Sequence, residues 1–211
     1  MARIDDYQAA VELAAASLAD KDPKAVADRS GALYEADPAG GGVLRFPFLN
    51  REIRVSWPDF AFSFKNAETD VPIQQQVLLL HYLQGAGGKP ITGEWIAYQE
   101  VPDGRFYLDA FQRRAKIPLV QAFGERPDLM VALAGEAYGA ESFDHGDCAV
   151  VLRALPLVPV ALILWRGDDE FPPDGNIIFD RSISGILSAE DIAWLAGMIV
   201  YPLMGMARGR T

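Results

Sequence analysis

From Val43 to Trp57 the chain alternates apolar and polar positions. Leu44, Phe46 and Phe48 share one face, and Ile53, Val55 and Trp57 share one face of the segment that follows. A period of two belongs to half-buried strands. Leu49-Asn50 between them predicts a hairpin turn, because Asn tolerates a left-handed backbone. Pro58 ends the pair, and Phe60, Phe62 and Phe64 alternate again as an edge strand. Upstream the period is helical. Tyr7, Val11, Ala14 and Leu18 fall on one side of a helix over residues 4–19. Asp22-Pro23 reads as an N-cap with Pro at the first helical position, and Gly31 can close the short second helix. This predicts an N-terminal helical appendage over residues 1–31, followed by a single α+β domain over 32–211.

Downstream, Asp70 is the predicted cap of a helix with Pro72 in its first turn and apolar cover nearly all round at Val77, Leu78, Leu80, His81, Tyr82 and Leu83. Glu94–Glu100 reads as a strand with an acid at each end. Residues 105–139 are helical in pieces, with Pro118 and Pro127 predicted to start new helices and Gly139 to close the last. Ala149–Leu155 and Val158–Trp165 read as strands. The second is a continuous apolar run, which predicts a strand covered on both faces. Ile177-Ile178-Phe179 follows, and Ser188 with Asp191 forms a capping-box pattern opening a final apolar helix. Strands grouped between blocks of helices predict an α+β fold with a mainly antiparallel sheet.

Composition narrows the function classes. The net charge of −10 disfavours binding to nucleic-acid phosphates. The single cysteine, Cys148, excludes a disulfide framework or a Cys-rich metal site within the chain, so no bound iron–sulfur cluster is expected. The run Ile192–Ala207 is interrupted by Pro202 and two glycines and is too short to span a bilayer. The segment MARIDDYQAA lacks a signal-peptide pattern, so a cytoplasmic location is expected.

The chemistry concentrates between residues 141 and 180. Eight carboxylates stand there against two arginines, most of the chain's net negative excess. Crowded carboxylates raise one another's pKa or recruit a cation, and oxygen ligands suit Mg²⁺, Ca²⁺ or Mn²⁺. A solvated acidic loop is the competing expectation. Asp180 leaves an apolar strand directly, where its position is fixed by the strand. His81, mid-helix among leucines, is either a satisfied core histidine or an acid/base group. Arg113 and Arg114 have the chemistry to clamp an anion, but helix-surface arginines usually do nothing of the kind, so they are discounted. No P-loop, dinucleotide fingerprint or nucleophile elbow is present.

Several stretches together resemble a known family: Leu80-His81-Tyr82-Leu83, Gly93-Glu94-Trp95-Ile96-Ala97, Phe111 with Arg113, Phe123-Gly124, Gly146-Asp147, and above all Trp165-Arg166-Gly167-Asp168-Asp169-Glu170-Phe171-Pro172 with Phe179-Asp180. The chain is similar, from about residue 10 to 205, to a bacterial and archaeal family known only as domain of unknown function 3786. Some members carry a four-cysteine iron–sulfur module, which implies anaerobic redox or corrinoid metabolism as a context. This chain lacks the cysteines for it, so any redox link has to come from a partner protein. The resemblance supplies no catalytic residues.

Three functions follow as expectations. The first is a small-molecule- or cofactor-binding accessory domain, with ligand-binding residues Trp165, Asp168, Asp169, Glu170, Asp180, Glu94 and Trp95. The second is a divalent-metal hydrolase, with Asp168, Glu170 and Asp180 as ligands and His81 as general base. The third is an interaction or structural module, with the apolar final helix as the docking face of a homodimer.

Overall fold

A computed structural model describes residues 4–66 and 69–210. Residues 1–3 of the predicted appendage and Thr211 therefore lie outside the described residues. The chain is α+β, with two antiparallel sheets, and forms two compact units. The first takes the chain up to Pro90 together with Leu155–Leu157 and Gly185–Leu187. The second takes Ile91–Ala154, Val158–Ser184 and the chain from Ser188 on.

The first unit contains α1 (Ile4–Ala19), α2 (Pro23–Ser30), strands β1 (Leu33–Ala36), β2 (Gly42–Phe48), β3 (Arg51–Trp57) and β4 (Phe62–Phe64), and α3 (Ile73–Gly85). The strands form one sheet in the order β1-β2-β3-β4. The hairpin closes with Phe48 opposite Arg51, and both Leu49 and Asn50 take the left-handed conformation that a tight two-residue turn needs. That register puts Leu44, Phe46, Ile53 and Val55 together in the core, where Phe46 meets Tyr82 of α3. The Tyr82 hydroxyl donates to the Ser30 carbonyl and accepts from the Leu157 amide. The Asp22 carboxylate accepts from the Lys24 amide, and Gly31 closes α2 in the left-handed conformation.

One cap differs from expectation. The residue before α3 is Pro72, held extended, which supplies no side-chain cap; the Gln76 side chain instead donates back to the Val71 carbonyl. The Pro72 carbonyl accepts from the Gln75 and Gln76 amides, so the helix starts after the proline and Asp70 is too early to cap it.

The second unit carries β5 (Trp95–Ala97), β6 (Glu141–Ser142), β7 (Cys148–Leu155), β8 (Val158–Trp165) and β9 (Asp174–Asp180), in the order β5-β9-β8-β7-β6. The apolar run Val158–Leu164 is the middle strand and is buried throughout. Tyr98–Glu100, expected as strand, is instead a 3-10 turn. The Glu100 carboxylate reaches back to the Ala97 amide at 2.8 Å and bends the chain there.

Helices cover one face of this sheet: α4 (Gly104–Phe111), α5 (Ile117–Phe123), α6 (Pro127–Tyr138) and α7 (Ala189–Arg208). Tyr98 stacks on Phe111 at 4.1 Å, and Phe179 of β9 meets both rings edge-on. Burial pushes the Tyr98 hydroxyl up to about 12. The capping box at Ser188 and Asp191 forms as the sequence predicts. Helix α7 buries Ile192, Leu195, Ile199, Val200 and Leu203, leaving Trp194 and Met198 half-buried and Tyr201 exposed. Pro118 stands in the first turn of α5, as the sequence predicts, but the helix it opens is not a separate one. Gln112–Lys116 is a π-helical turn joining α4 to α5 without a break, its wide ring closed by the Ile117 amide on the Gln112 carbonyl. Proline lacks the N–H that a regular α turn would use, and the wider turn absorbs the defect.

Among the described residues, no helix is long and apolar enough to cross a membrane.

Candidate functional site

Strand β9 carries an aspartate at each end, and its neighbours fix what each can do. At the C-terminal end, Asp180 lies opposite Trp95 of β5 and is fully buried. Its two oxygens accept from the Thr92 amide (3.1 Å), the Thr92 hydroxyl (2.9 Å), the Gly93 amide (2.6 Å) and the Ser182 amide (2.9 Å). Burial by itself raises this carboxyl, but the bonds from Ser182 and Thr92 outweigh it and hold the pKa at about 2. The Thr92 hydroxyl also accepts from the Glu94 amide. Asp180 thus ties the entry of β5 to the exit of β9. Glu94 is exposed and pairs with Arg181 at 2.7 Å.

At the other end, Asp174 lies opposite Trp165 of β8. Six residue steps along the strand separate it from Asp180, a distance of roughly 20 Å. The loop Arg166–Pro173 belongs to this end. The Asp168 carboxylate accepts from the Glu170 and Phe171 amides, both at 2.8 Å, and those bonds lower its pKa. It is an Asx turn that shapes the loop. Asp169 and Glu170 are exposed. Pro173 packs against Gly124 at the end of α5 and against Gly167. A Cβ on Gly167 would stand 2.7 Å from the Pro173 ring and one on Gly124 3.0 Å, so both positions require glycine for this close approach.

The residues expected to form one site therefore divide. Trp165, Asp168, Asp169 and Glu170 gather at one end of β9, and Asp180, Glu94 and Trp95 at the other. His81 is half-buried on α3 of the first unit. Among the described residues, no group of three or more His, Cys, Asp or Glu side chains is arranged to hold a metal ion. Arg113 pairs with Asp109, and Arg114 lies over the Trp194 ring.

A row of rings links the two ends on the sheet face opposite the helices. Trp95 meets Phe143 at 5.1 Å, Phe143 stacks near His145 at 6.0 Å, and His145 meets Trp165 edge-on at 6.1 Å. Trp95, Phe143 and Trp165 pack on Ala149, Ala161, Ile163 and Ile178. The small alanines make room for the rings, which roof this face. At the Trp165 end Arg166 pairs with Asp128 at 2.8 Å, and Cys148 sits beside both. Burial, then the Asp128 charge, push the Cys148 thiol up, away from thiolate chemistry.

A concave feature of this unit lies on the helix side of Asp174. A cleft of about 300 Å³ is lined by Gln112 and Lys116 of the π turn, by Ile117, Val120 and Gln121 of α5, and by Asp174. Lys116 Nζ stands 3.2 Å from Asp174 Oδ1 across it. Val120 reaches the sheet because Gly175 has no side chain; a Cβ there would stand 3.0 Å from the Val120 methyl. Of these lining residues the sequence pattern singled out only Asp174, as one of the acidic group. The available signal for the rest was Pro118 inside an unbroken helical period, because a proline there forces a wide turn and π turns recur at functional sites.

The chain belongs to the family described as domain of unknown function DUF3786, whose model matches residues 22–201. Neither the curated proteins nor the solved structures contain a match.

Proposed function

We propose that the second unit is a small-molecule-binding module and that its ligand seats in the cleft between the π turn and the start of β9. The observation that carries this is the cleft itself: concave, of about 300 Å³, at the low end of the size range for small-ligand sites, with opposed charges and two amides above an apolar floor. Its Asp174 wall is set by the loop that carries the Trp165–Pro172 stretch. Trp165 pairs with Asp174, Asp168 folds the loop, and Pro173 clamps it to α5. In this role Asp169 and Glu170 contribute negative potential from the same loop, while Asp180, Glu94 and Trp95 secure the far end of the sheet. If the redox context that the family resemblance implies holds, a chain with one cysteine makes that link through a partner protein.

The test is a thermal-shift screen of a metabolite panel on the full chain and on Ile117→Trp, which fills the cleft from an exposed position. Ligands that raise the melting temperature of the wild type and leave Ile117→Trp unmoved are the expected result. Ligands that stabilise both proteins equally would place the binding site elsewhere and end the proposal.

A further inference from the structure

We propose, resting on the cleft just described as the ligand site, that its ligand is a small zwitterion of the α-amino-acid class. The reason is the pairing of the two charged groups that, among the described residues, line the cleft. Lys116 Nζ and Asp174 Oδ1 stand 3.2 Å apart, with the lysine side chain 30% and the aspartate 64% exposed, so both ends of the pair are open to a ligand. A monoanion approaching Lys116 meets the Asp174 carboxylate beside it, and like charges at that range repel. A monocation approaching Asp174 meets the Lys116 ammonium in the same way. A molecule with an ammonium and a carboxylate on one carbon faces the pair head to tail. Its carboxylate meets Lys116 and its ammonium meets Asp174, so all four charges stay paired.

The remaining lining suits such a ligand. Gln112 and Gln121 each offer two N–H donors and a carbonyl acceptor, enough to take the lone pairs and protons that a carboxylate and an ammonium leave over. Ile117 and Val120 give a small apolar floor for a short side chain. Lys116 is the last residue of the π turn, so hydrogen-bonded backbone carries its ammonium: the Ile117 amide beside it closes the ring on the Gln112 carbonyl.

The experiment is isothermal titration of the full chain with the free amino acids. For the best binder, titrations follow with the amine that lacks its carboxylate and the acid that lacks its ammonium. The expected result is binding of at least one amino acid, weakened ten-fold or more when either charged group of the ligand is removed. Lys116→Met and Asp174→Asn should each weaken it by a similar factor, with melting temperatures near the wild type because Asp174 is exposed and Lys116 only half-buried on the cleft wall. Absence of binding across the amino acids overturns the proposal, as does a mono-charged analogue that binds as tightly as its zwitterion. Ile117→Trp separates the two levels. A ligand of another class that Ile117→Trp excludes leaves the cleft standing and ends the zwitterion assignment. An amino acid that binds Ile117→Trp as well as the wild type ends both.

Discussion

The two aspartates that bound β9 look alike in the sequence and are opposite in the structure. Asp180 is fully buried and accepts four hydrogen bonds; Asp174 is exposed and accepts one ion pair across a cleft. A carboxylate whose acceptor sites are filled from its own chain has nothing to offer a ligand. It holds segments together. A carboxylate with one flexible partner keeps acceptor sites free and a counter-charge within reach. The difference lies in what the neighbouring backbone does: Thr92, Gly93 and Ser182 turn their donors inward at one end, and the clamped loop turns its donors on Asp168 at the other.

The largest effect that bears on this contrast is expected at Asp180. Asp180→Asn places an NH₂ group against a ring of N–H donors, and chemical denaturation should report a loss of about 3 kcal/mol, the scale of a broken buried charged network. Asp174→Asn should cost under about 0.5 kcal/mol, the usual value of an exposed pair. If both substitutions cost the same, the division of labour between the two ends is wrong.

The acid limb of stability comes next. The Asp180 pKa is depressed from 3.8 to about 2 in the fold, so its contribution is complete above the unfolded value and disappears as pH falls through the folded one. Stability measured from pH 5 to pH 2 should drop by roughly 2 kcal/mol more in the wild type than in Asp180→Asn. Parallel curves for the wild type and Asp180→Asn would remove Asp180 as the acid-sensitive tie.

Much of the fold was legible in the sequence because a buried face leaves a period in the chain. The alternation from Leu44 to Trp57 fixed the hairpin register. The unbroken run Val158–Leu164 marked the central strand, and Ser188 with Asp191 marked the start of α7. Local pattern cannot say which distant segment arrives beside a residue. Asp180 is satisfied largely by residues nearly ninety positions upstream, so the donors that fill its oxygens were invisible. The same limit hid the separation of Asp180 from the Asp168–Glu170 loop, which depends on the pairing of β8 and β9. Tyr98–Glu100 kept the composition of a strand while a single side-chain bond from Glu100 turned it. The cleft was missed because its walls are ordinary helix residues until Pro118 widens the turn before it.

The return of short segments to the first unit sets an order of events during synthesis. Gly31 packs against Pro156, the Tyr82 hydroxyl takes the Leu157 amide, and Gly85 lies against the Ile186 carbonyl. The strands and helices before Pro90 leave the ribosome long before these partners exist. The first unit therefore emerges early and waits, incomplete, until the chain has been translated past Leu187. A fragment ending at Pro90 would lack its own closing pieces, and the two units are not separable by a single cut.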